Sequence, residues 1–377
     1  ETTEDEGYNM QQVPLPHQNA FLQLFSSLGE AYTLHTPLAL PTMLRRGLNT
    51  TSNPHRAGPF YLLLPMNIQA ADMPQFNLDE LPFPAYEKLK GFPEAYHLPL
   101  FSYIKKHGAT MITSRGCPYT CSFCDRTVFE RLYKTNSAQY TYDHMKYLRD
   151  RFGVYHINMY DDLFTAKKQR VFDLCELLIE KPLGIQWNCA IRTGHTSDEM
   201  LAKLKQAGAL MVSMGIESAD PGMMERHKAG VTLDAVRDTV RQIHAAGLRA
   251  KGLFIFGMPG ETEESMEKTT RLALELDPDL AHFMMAAPYP GTELWEILEK
   301  QGQVSSHDID WSQLAIQDDK PHFAVEGLDR ETIERQWHAG QAQIWHYRYA
   351  NRVPLRADTK PLYVNWCEVT ITNEATG

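Results

Sequence analysis

Three cysteines within eight positions form the part of this sequence best suited to chemistry. They lie in the segment Cys117-Pro-Tyr-Thr-Cys121-Ser-Phe-Cys124. Three thiolates so close together on one short loop can converge on a single metal centre. Structural zinc usually takes four protein ligands as two separated pairs. A [4Fe-4S] cluster usually has a cysteine on each of its four irons, so three cysteines would leave one iron open to another ligand.

The remaining cysteines supply no second pair. Cys175 falls in a helical pattern, Cys189 in a strand pattern, and Cys367 near the end of the sequence. The alternatives to an open cluster are a zinc site completed by a distant His, an electron-transfer cluster and three inert core thiols. We favour the open cluster because three thiols on one loop have no packing purpose, and an electron-transfer cluster would normally bring a fourth Cys.

Short apolar runs alternate with helical patterns from Ala109 onwards. The runs predict strands at 110–113, 156–160, 185–191, 210–216, 252–256 and 281–286. Six β–α repeats imply a parallel sheet with right-handed crossovers and helices outside. The helix after the third strand is preceded by Thr196-Ser-Asp-Glu199, which has the form of a capping box. We therefore expect an α/β fold, a partial (β/α)6 TIM-type barrel, whose chemistry lies on the loops at the carboxyl ends of the strands. The cysteines follow the first predicted strand.

The rest of the sequence divides around this barrel. We expect an N-terminal appendage, a Pro-rich linker, the barrel and a C-terminal helical extension, at residues 1–77, 78–108, 109–300 and 301–377. The appendage predicts a helix at 21–28 and a strand at 60–64, and the extension predicts a helix at 329–350. Trp337 and Trp345 on that last helix either cover the barrel mouth or pack as core residues.

Polar residues follow the second and third predicted strands. Asp161 and its neighbour Asp162 come after the second, where paired carboxylates could accept hydrogen bonds from an ammonium group. Arg192 comes after the third and suits bidentate pairing with a carboxylate. The structural alternatives are a helix-capping Asp and a surface ion pair.

The next two strands end in glycine-containing segments. The fourth ends in Gly215-Ile-Glu217-Ser218, in which a carboxylate is suited to ribose hydroxyls. The fifth is followed by Gly257-Met-Pro259-Gly, whose glycines allow close approach of the backbone to a ligand. A capping Glu and an ordinary Gly-rich turn are the alternatives.

The cysteine spacing, with aromatic Phe123 directly before the third Cys, resembles the radical S-adenosylmethionine (SAM) superfamily over roughly residues 78–300. The resemblance implies that Cys117, Cys121 and Cys124 bind a [4Fe-4S] cluster whose open iron is chelated by SAM. It also implies reductive cleavage of SAM to a 5′-deoxyadenosyl radical, which abstracts hydrogen from the substrate.

The same resemblance implies roles around SAM. Phe123 and the segment after the fifth strand would lie by the adenine, while Glu217 and Ser218 would contact the sugar and amino-acid parts. The Leu-Asp-Glu-Leu-Pro-Phe-Pro-Ala-Tyr segment at 78–86 resembles the linker of the cobalamin-binding branch. That branch contains methyltransferases and ring-forming enzymes, so cobalamin is a further candidate cofactor.

The appendage departs from that branch. Only about seventy residues precede the linker, and they contain no Asp-x-His-x-x-Gly. A doubly wound cobalamin domain needs roughly 100–150 residues. Either the appendage is the remnant of a truncated domain, or the protein has none.

The composition of the chain limits the kinds of partner and the cellular location that we expect. Lys and Arg number 37 against 47 Asp and Glu, a net charge of −10, so the composition does not indicate a basic field for nucleic acid, although it leaves room for a local basic patch. The apolar runs are too short to span a membrane, and the acidic start is not a secretory leader, which favours a cytoplasmic protein.

We predict a radical SAM enzyme that acts by methyl transfer or ring formation on a small, apolar organic substrate, with flavodoxin or ferredoxin as electron donor. The alternatives are a non-catalytic iron–sulfur module and a tRNA-modifying enzyme, but no basic RNA-binding module or N-terminal three-Cys domain is seen.

Overall fold

The structure is a computed structural model that describes residues 26–34, 39–51, 58–63, 77–96, 107–129, 131–228, 230–305, 321 and 323–352. The chain divides into two compact units, residues 1–77 and 78–377. Cys367 and most of the helix predicted at 21–28 lie outside the described residues.

The smaller unit contains a parallel β-α-β arrangement. Strands β1 (Glu30–Thr33) and β2 (Phe60–Leu63) pair in parallel and flank helix α1 (Leu40–Thr51). The strand predicted at 60–64 is confirmed. The sequence analysis missed β1 and α1, because a four-residue strand is too short to show alternation and α1 carries Gly and Thr residues that weaken its helical pattern.

The larger unit is built on a parallel sheet of six strands. In spatial order they are β3 (Gly108–Met111), β6 (His156–Met159), β7 (Gln186–Ile191), β8 (Ala209–Glu217), β9 (Arg249–Phe256) and β10 (Leu280–Met285). Spatial order follows chain order, as in a barrel that is wound in one direction. The predicted partial barrel and its six strands are confirmed. A small antiparallel pair, β4 (Ser114–Arg115) and β5 (Lys134–Thr135), brackets the cysteine loop.

Helices follow the strands. They are α2 (Ala138–Phe152), α3 (Lys168–Glu180), α4 (Asp198–Gln206), α5 (Pro221–Lys228), α6 (Leu233–Ala245), α7 (Glu263–Leu276), α8 (Glu293–Lys300) and α9 (Arg330–Arg352). None of these described helices has the length and apolarity needed to cross a membrane.

Helix capping differs from the sequence pattern at one point. The capping-box pattern at 196–199 places the cap at Thr196, but Ser197 is the residue that caps α4, accepting a hydrogen bond from the Met200 amide. A capping box does form at α7, where Thr262 and Ser265 exchange hydrogen bonds.

Burial alternates along the central strand β8. In β8, Val212, Met214 and Ile216 are buried, while Met211, Ser213 and Gly215 between them are partly exposed. This period of two is expected of strands with one fully covered face. The neighbouring strand β9 is buried on both faces, since Phe254, Ile255 and Phe256 in succession are buried.

Trp337 of α9 belongs to the core. It is buried, and its indole N–H donates to the Phe283 carbonyl in β10. The interpretation that Trp337 covers the barrel mouth is therefore wrong, because the side chain is fixed against the edge strand. The Trp345 side chain is outside the described residues.

His144 of α2 gives the fold a pH dependence that can be measured. Its ring is buried and stacks on Phe83, with centroids 4.6 Å apart. Burial lowers the pKa of His144 from 6.5 to about 4. In the unfolded chain the ring protonates at its ordinary pKa, whereas the folded protein keeps it neutral. The contribution of His144 to the free energy of unfolding is therefore highest above about pH 6.5 and decreases as pH falls towards 4.

Replacing His144 by Phe should therefore reduce the loss of unfolding free energy between pH 7 and pH 4 by up to about 3 kcal/mol, at about 1.4 kcal/mol per unit of pKa shift. Urea unfolding at a series of pH values measures this. The exposed His338→Phe should keep the wild-type dependence; identical pH profiles for His144→Phe and wild type would contradict the assignment.

Candidate metal centre

The cysteine loop starts at a position that only glycine can fill. Gly116 has φ +81°, and a Cβ there would lie 2.0 Å from the Leu132 carbonyl oxygen. Its amide donates to Asp162 Oδ2 at 2.9 Å. The chain therefore enters the loop in one fixed direction, pressed against the segment that follows the third cysteine.

A buried polar network holds the end of β3, from which the loop departs. Asp161 accepts hydrogen bonds from the amides of Thr113 and Ser114 at 2.6 and 3.1 Å and from the Thr113 hydroxyl at 2.6 Å. Arg170 of α3 is also buried and donates to the carbonyls of Asn136 and Thr113. Asp161 therefore fixes the backbone at Thr113 and Ser114. Its predicted contact with a ligand ammonium group stays a prediction.

The three thiols of the loop are free and interact with one another. Cys117 and Cys121 are partly exposed and Cys124 is exposed. A hydrogen bond from Cys124 lowers the pKa of Cys121 to about 6 and raises that of Cys124. Burial raises the pKa of Cys117. Cys121 is therefore the thiol that most readily forms the thiolate, the form that binds metals.

Among the described residues, no group of three His, Cys, Asp or Glu side chains is arranged as a preformed site for a metal ion. The other described cysteines are core residues. Cys175 and Cys189 are buried, and burial raises the pKa of Cys175 to about 12.

Arg192 reaches the cysteine loop from the end of β7. Its Nη1 lies 3.9 Å from Cys121 Sγ, and its guanidinium carbon lies 3.9 Å from the centre of the Tyr119 ring. The Tyr119 hydroxyl is 3.0 Å from Nδ1 of His195. Arg192 is thus held over an aromatic ring with its charge next to a cysteine. Its predicted pairing with a ligand carboxylate stays a prediction.

A buried ion pair lies at the end of β8. Lys228 Nζ is 2.7 Å from Glu217 Oε1 and 2.7 Å from the Gly215 carbonyl oxygen, and the two side chains are 8% and 12% exposed. Glu217 has φ +66° at a β-bulge, an uncommon conformation that turns its side chain back over the strand. A Cβ on Gly215 would lie 2.0 Å from Glu217 Oε1, so a larger residue there would displace the ion pair.

The ion pair is close enough to Cys121 for both charges to act on its thiol, Lys228 lowering its pKa and Glu217 raising it. The sequence analysis identified Glu217 but missed Lys228. A Lys in the last turn of a helix is also what the helix dipole favours, so the sequence pattern alone could not distinguish the two roles.

Ser218 follows Glu217 and points into the protein. It is buried, its Oγ accepts from the Asp220 amide at 3.1 Å, and it lies 3.4 Å from Thr269 Oγ1. These contacts are internal to the protein. A contact between Ser218 and a ligand stays a prediction.

The loop after β9 is held by the buried carboxyl group of Glu261. Glu261 Oε2 accepts from the amides of Gly257 and Met258 at 2.6 and 3.2 Å, and burial raises the pKa of Glu261 to about 8. Arg226 and His227 both approach the Pro259 carbonyl. The loop is thus fixed at both ends. Phe123, in the cysteine loop, is partly buried and packs against the core.

Comparison with known proteins identifies relatives of this chain. Residues 111–273 match the family model of the Radical SAM superfamily. An uncharacterized methyltransferase of Pyrococcus horikoshii is 35% identical over 224 residues, which cover 58% of this chain and 47% of that protein. The anaerobic magnesium-protoporphyrin IX monomethyl ester cyclase of Cereibacter sphaeroides is 29% identical, over 51% of this chain and 32% of the cyclase.

Solved structures agree on the fold. The radical SAM methyltransferase TsrM of Kitasatospora setae, solved with tryptophan and a SAM analogue, has a TM-score of 0.51 at 19% identity, over 64% of this chain and 52% of TsrM. OxsB, a cobalamin-dependent SAM radical enzyme solved with aqua-cobalamin and SAM, has a TM-score of 0.50 at 18% identity, over 63% of this chain and 41% of OxsB. The chain thus spans about half the length, or less, of the proteins it resembles.

Gly116→Ala should destabilise the protein by about 2–5 kcal/mol, because the strain of a positive φ, about 1–2 kcal/mol, is joined by an overpacking cost of about 1–3 kcal/mol. Gly153→Ala is the matched control, since Gly153 has φ +66° with open space around its Cβ. Gly153→Ala should therefore be destabilised only by the strain of a positive φ, about 1–2 kcal/mol. Urea unfolding measures both variants, and equal midpoints would show that the close approach at Gly116 imposes no constraint.

Proposed function

This chain carries a radical SAM domain over residues 111–273, and from that premise we propose an enzyme that binds a [4Fe-4S] cluster through Cys117, Cys121 and Cys124 and cleaves SAM reductively. The observation that carries the proposal is the position of three free thiols on one short loop at the carboxyl end of a parallel half-barrel, with a hydrogen bond between Cys121 and Cys124.

The donor set of the loop fits such a cluster. Iron–sulfur clusters are bound by thiolates, and the pKa of Cys121, about 6, leaves that sulfur ionised at neutral pH. The positive charges of Arg192 and Lys228 lie beside it and offset the negative charge that collects when three thiolates share a site. When bound, the cluster supplies the electron for cleavage of the SAM sulfonium.

The Glu217–Lys228 pair supports a site for the amino-acid part of SAM. We assign Lys228 to the carboxylate of SAM and Glu217 to its ammonium group or ribose hydroxyls, because a zwitterion can replace the internal partner of each charge. Both side chains are largely shielded from water, where charge-assisted hydrogen bonds are strong. Without the cofactor, each charge is satisfied by the other, so neither is left unpaired.

The adenine is assigned to the space between the cysteine loop and the loop after β9. Phe123 offers an aromatic surface there, and Gly257 and Pro259 offer backbone groups in a loop that Glu261 holds rigid. Asp161 and Ser218 enter the proposal as residues that fix the local backbone, since their oxygens already hydrogen-bond within the protein. Arg192, which lies beside Cys121, stays in the proposal as a second cation for the carboxylate of SAM.

For the reaction, we propose methyl transfer or ring formation on a small organic substrate. The names of the P. horikoshii methyltransferase and the C. sphaeroides cyclase support these two classes. The sheet also carries partly exposed apolar side chains, among them Met211 and Leu253, which supports an apolar substrate. We further propose a cytoplasmic enzyme that receives its electron from flavodoxin or ferredoxin.

Cobalamin is a second candidate cofactor. OxsB is cobalamin-dependent, and the parallel β1-α1-β2 unit is the building block of doubly wound domains. We therefore propose that residues 1–77 are part of a cobalamin-binding domain. We assign no described residue to cobalamin and derive no step through it.

Replacement of one proposed cluster ligand tests the function. After anaerobic reconstitution, the wild-type protein should hold about four irons and four sulfides per chain and produce 5′-deoxyadenosine from SAM when reduced with dithionite. Cys121→Ala should lose both properties, because two thiolates cannot hold the cluster stably. Cys175→Ala is the control and should keep both, since Cys175 is buried in α3.

Full activity in Cys121→Ala, or stoichiometric zinc without sulfide in the wild type, would contradict the assignment. A cluster without any cleavage of SAM would instead identify a non-catalytic iron–sulfur module.

A further inference from the structure

Ser122 lies between two of the proposed cluster ligands and is fixed through all of its polar groups. It is 1% exposed. Its amide donates to the His227 carbonyl at 3.1 Å, its hydroxyl lies 2.7 Å from His227 Nδ1, and its carbonyl accepts from the Leu294 amide at 2.9 Å. Leu294 is in the first turn of α8, where amides have no partner within the helix. The middle of the cysteine loop is thus held by α5 and α8.

His227 extends this connection to a second loop. Its Nε2 is 2.9 Å from the Pro259 carbonyl oxygen. A carbonyl can only accept, so Nε2 carries the proton and donates. The ring is 3% exposed, and burial lowers its pKa, which favours the neutral form. Nδ1 of that neutral ring is an acceptor, and the Ser122 hydroxyl donates to it.

The contacts form one continuous chain of hydrogen bonds, Ser122 to His227 to Pro259, which we call the Ser–His–Pro strut. Arg226 reinforces its far end by donating to the same carbonyl at 3.3 Å. A Cβ on Gly260 would lie 1.9 Å from Arg226 Nη1, so this loop is packed directly against the last turn of α5. That turn also carries Lys228, paired with Glu217.

We propose that His227 is a positioning residue that sets the spacing between the cysteine loop and the loop after β9. The inference rests on the proposed function, in which these loops hold the cluster and the adenine of SAM. His227 acts through its two neighbours, Ser122 and Pro259. Because cofactor and cluster must be aligned to within a fraction of an ångström for reaction, a shift of one loop against the other weakens cofactor binding and cleavage.

The cysteines have further supports that do not involve the strut. Gly116 is anchored to Asp162, and Asp161 holds the segment before the loop. Loss of the strut should therefore leave the cluster in place and change what binds next to it. A residue with a merely structural role would lower stability without this separation of effects.

The test uses the reconstituted full chain with four substitutions. His227→Leu removes both side-chain bonds, His227→Gln keeps an N–H donor for Pro259, and Ser122→Ala removes only the hydroxyl. His144→Leu is the matched control, because His144 is an equally buried histidine in α2. Iron and sulfide content, the dissociation constant for SAM, and the change in the electron paramagnetic resonance spectrum of the reduced cluster on adding SAM are measured for each.

His227→Leu should keep its iron and sulfide but bind SAM about tenfold more weakly, a change equivalent to about 1.4 kcal/mol, with an altered spectral response to SAM. Ser122→Ala should show a smaller change in the same direction, and His227→Gln should recover most of the affinity. His144→Leu should lower the unfolding temperature without changing SAM binding.

Unchanged affinity and spectra in both His227→Leu and Ser122→Ala would overturn the inference. So would an equal loss of affinity in His144→Leu, which would reflect general destabilisation. Should His227→Leu not fold, Ser122→Ala decides alone, since it removes a single oxygen. A wild-type protein that holds no cluster or does not bind SAM would reject the proposed function itself, an outcome that is separate from any difference between variants.

Discussion

Three sulfur atoms on one short loop concentrate negative charge as soon as they ionise. Several of the described residues around the loop are placed so that they offset this charge. Thiolates repel one another unless nearby cations or a metal centre offset their charge. Arg192 and Lys228 come from the ends of β7 and α5 to lie beside Cys121, the thiol with the lowered pKa. Opposite charge is thus supplied by neighbouring β–α units rather than by the loop itself.

The parallel sheet makes this supply possible. All six strands run in the same direction, so their carboxyl ends share one edge, and residues far apart in sequence meet there. The same edge needs rigid backbone, because flexible loops could not keep several polar groups aligned. The buried Asp161 and Arg170 behind the cysteine loop, and Glu261 behind the loop after β9, provide that rigidity through hydrogen bonds to backbone groups.

The sequence was sufficient to predict the repeating part of the fold and the position of the cysteine loop after its first strand. The six strands follow from apolar runs that are buried by helices, and the cysteine loop follows from spacing alone. Burial patterns along a strand are local, so they can be predicted. The strand β1 was not predicted because four residues are too few to show an alternating pattern. The cap at Ser197 differs by one residue from the predicted position because Thr and Ser are both acceptable caps.

Residues whose roles depend on distant partners could not be predicted. In the sequence, helix-end or turn positions are all that can be assigned to Lys228, His227 and Glu261. Their roles depend on hydrogen bonds to distant residues. Lys228 bonds to Gly215, His227 to Ser122 and Glu261 to Gly257, and only the folded sheet brings these pairs together. Asp161 and Ser218 are a different case, in which the predicted ligand contact stays a prediction. Both follow strands, as ligand-binding residues often do, yet their described hydrogen bonds are made within the protein.

The central claim is that a cluster bound by three cysteines leaves one iron open for the amino-acid end of SAM beside Glu217 and Lys228. Electron–nuclear double resonance on the reduced, SAM-bound protein, with SAM carrying ¹⁵N in its amino group and ¹⁷O in its carboxylate, tests it most directly. The account predicts hyperfine coupling from both labels to the cluster. A reduced cluster that shows neither coupling when SAM is fully bound would contradict it.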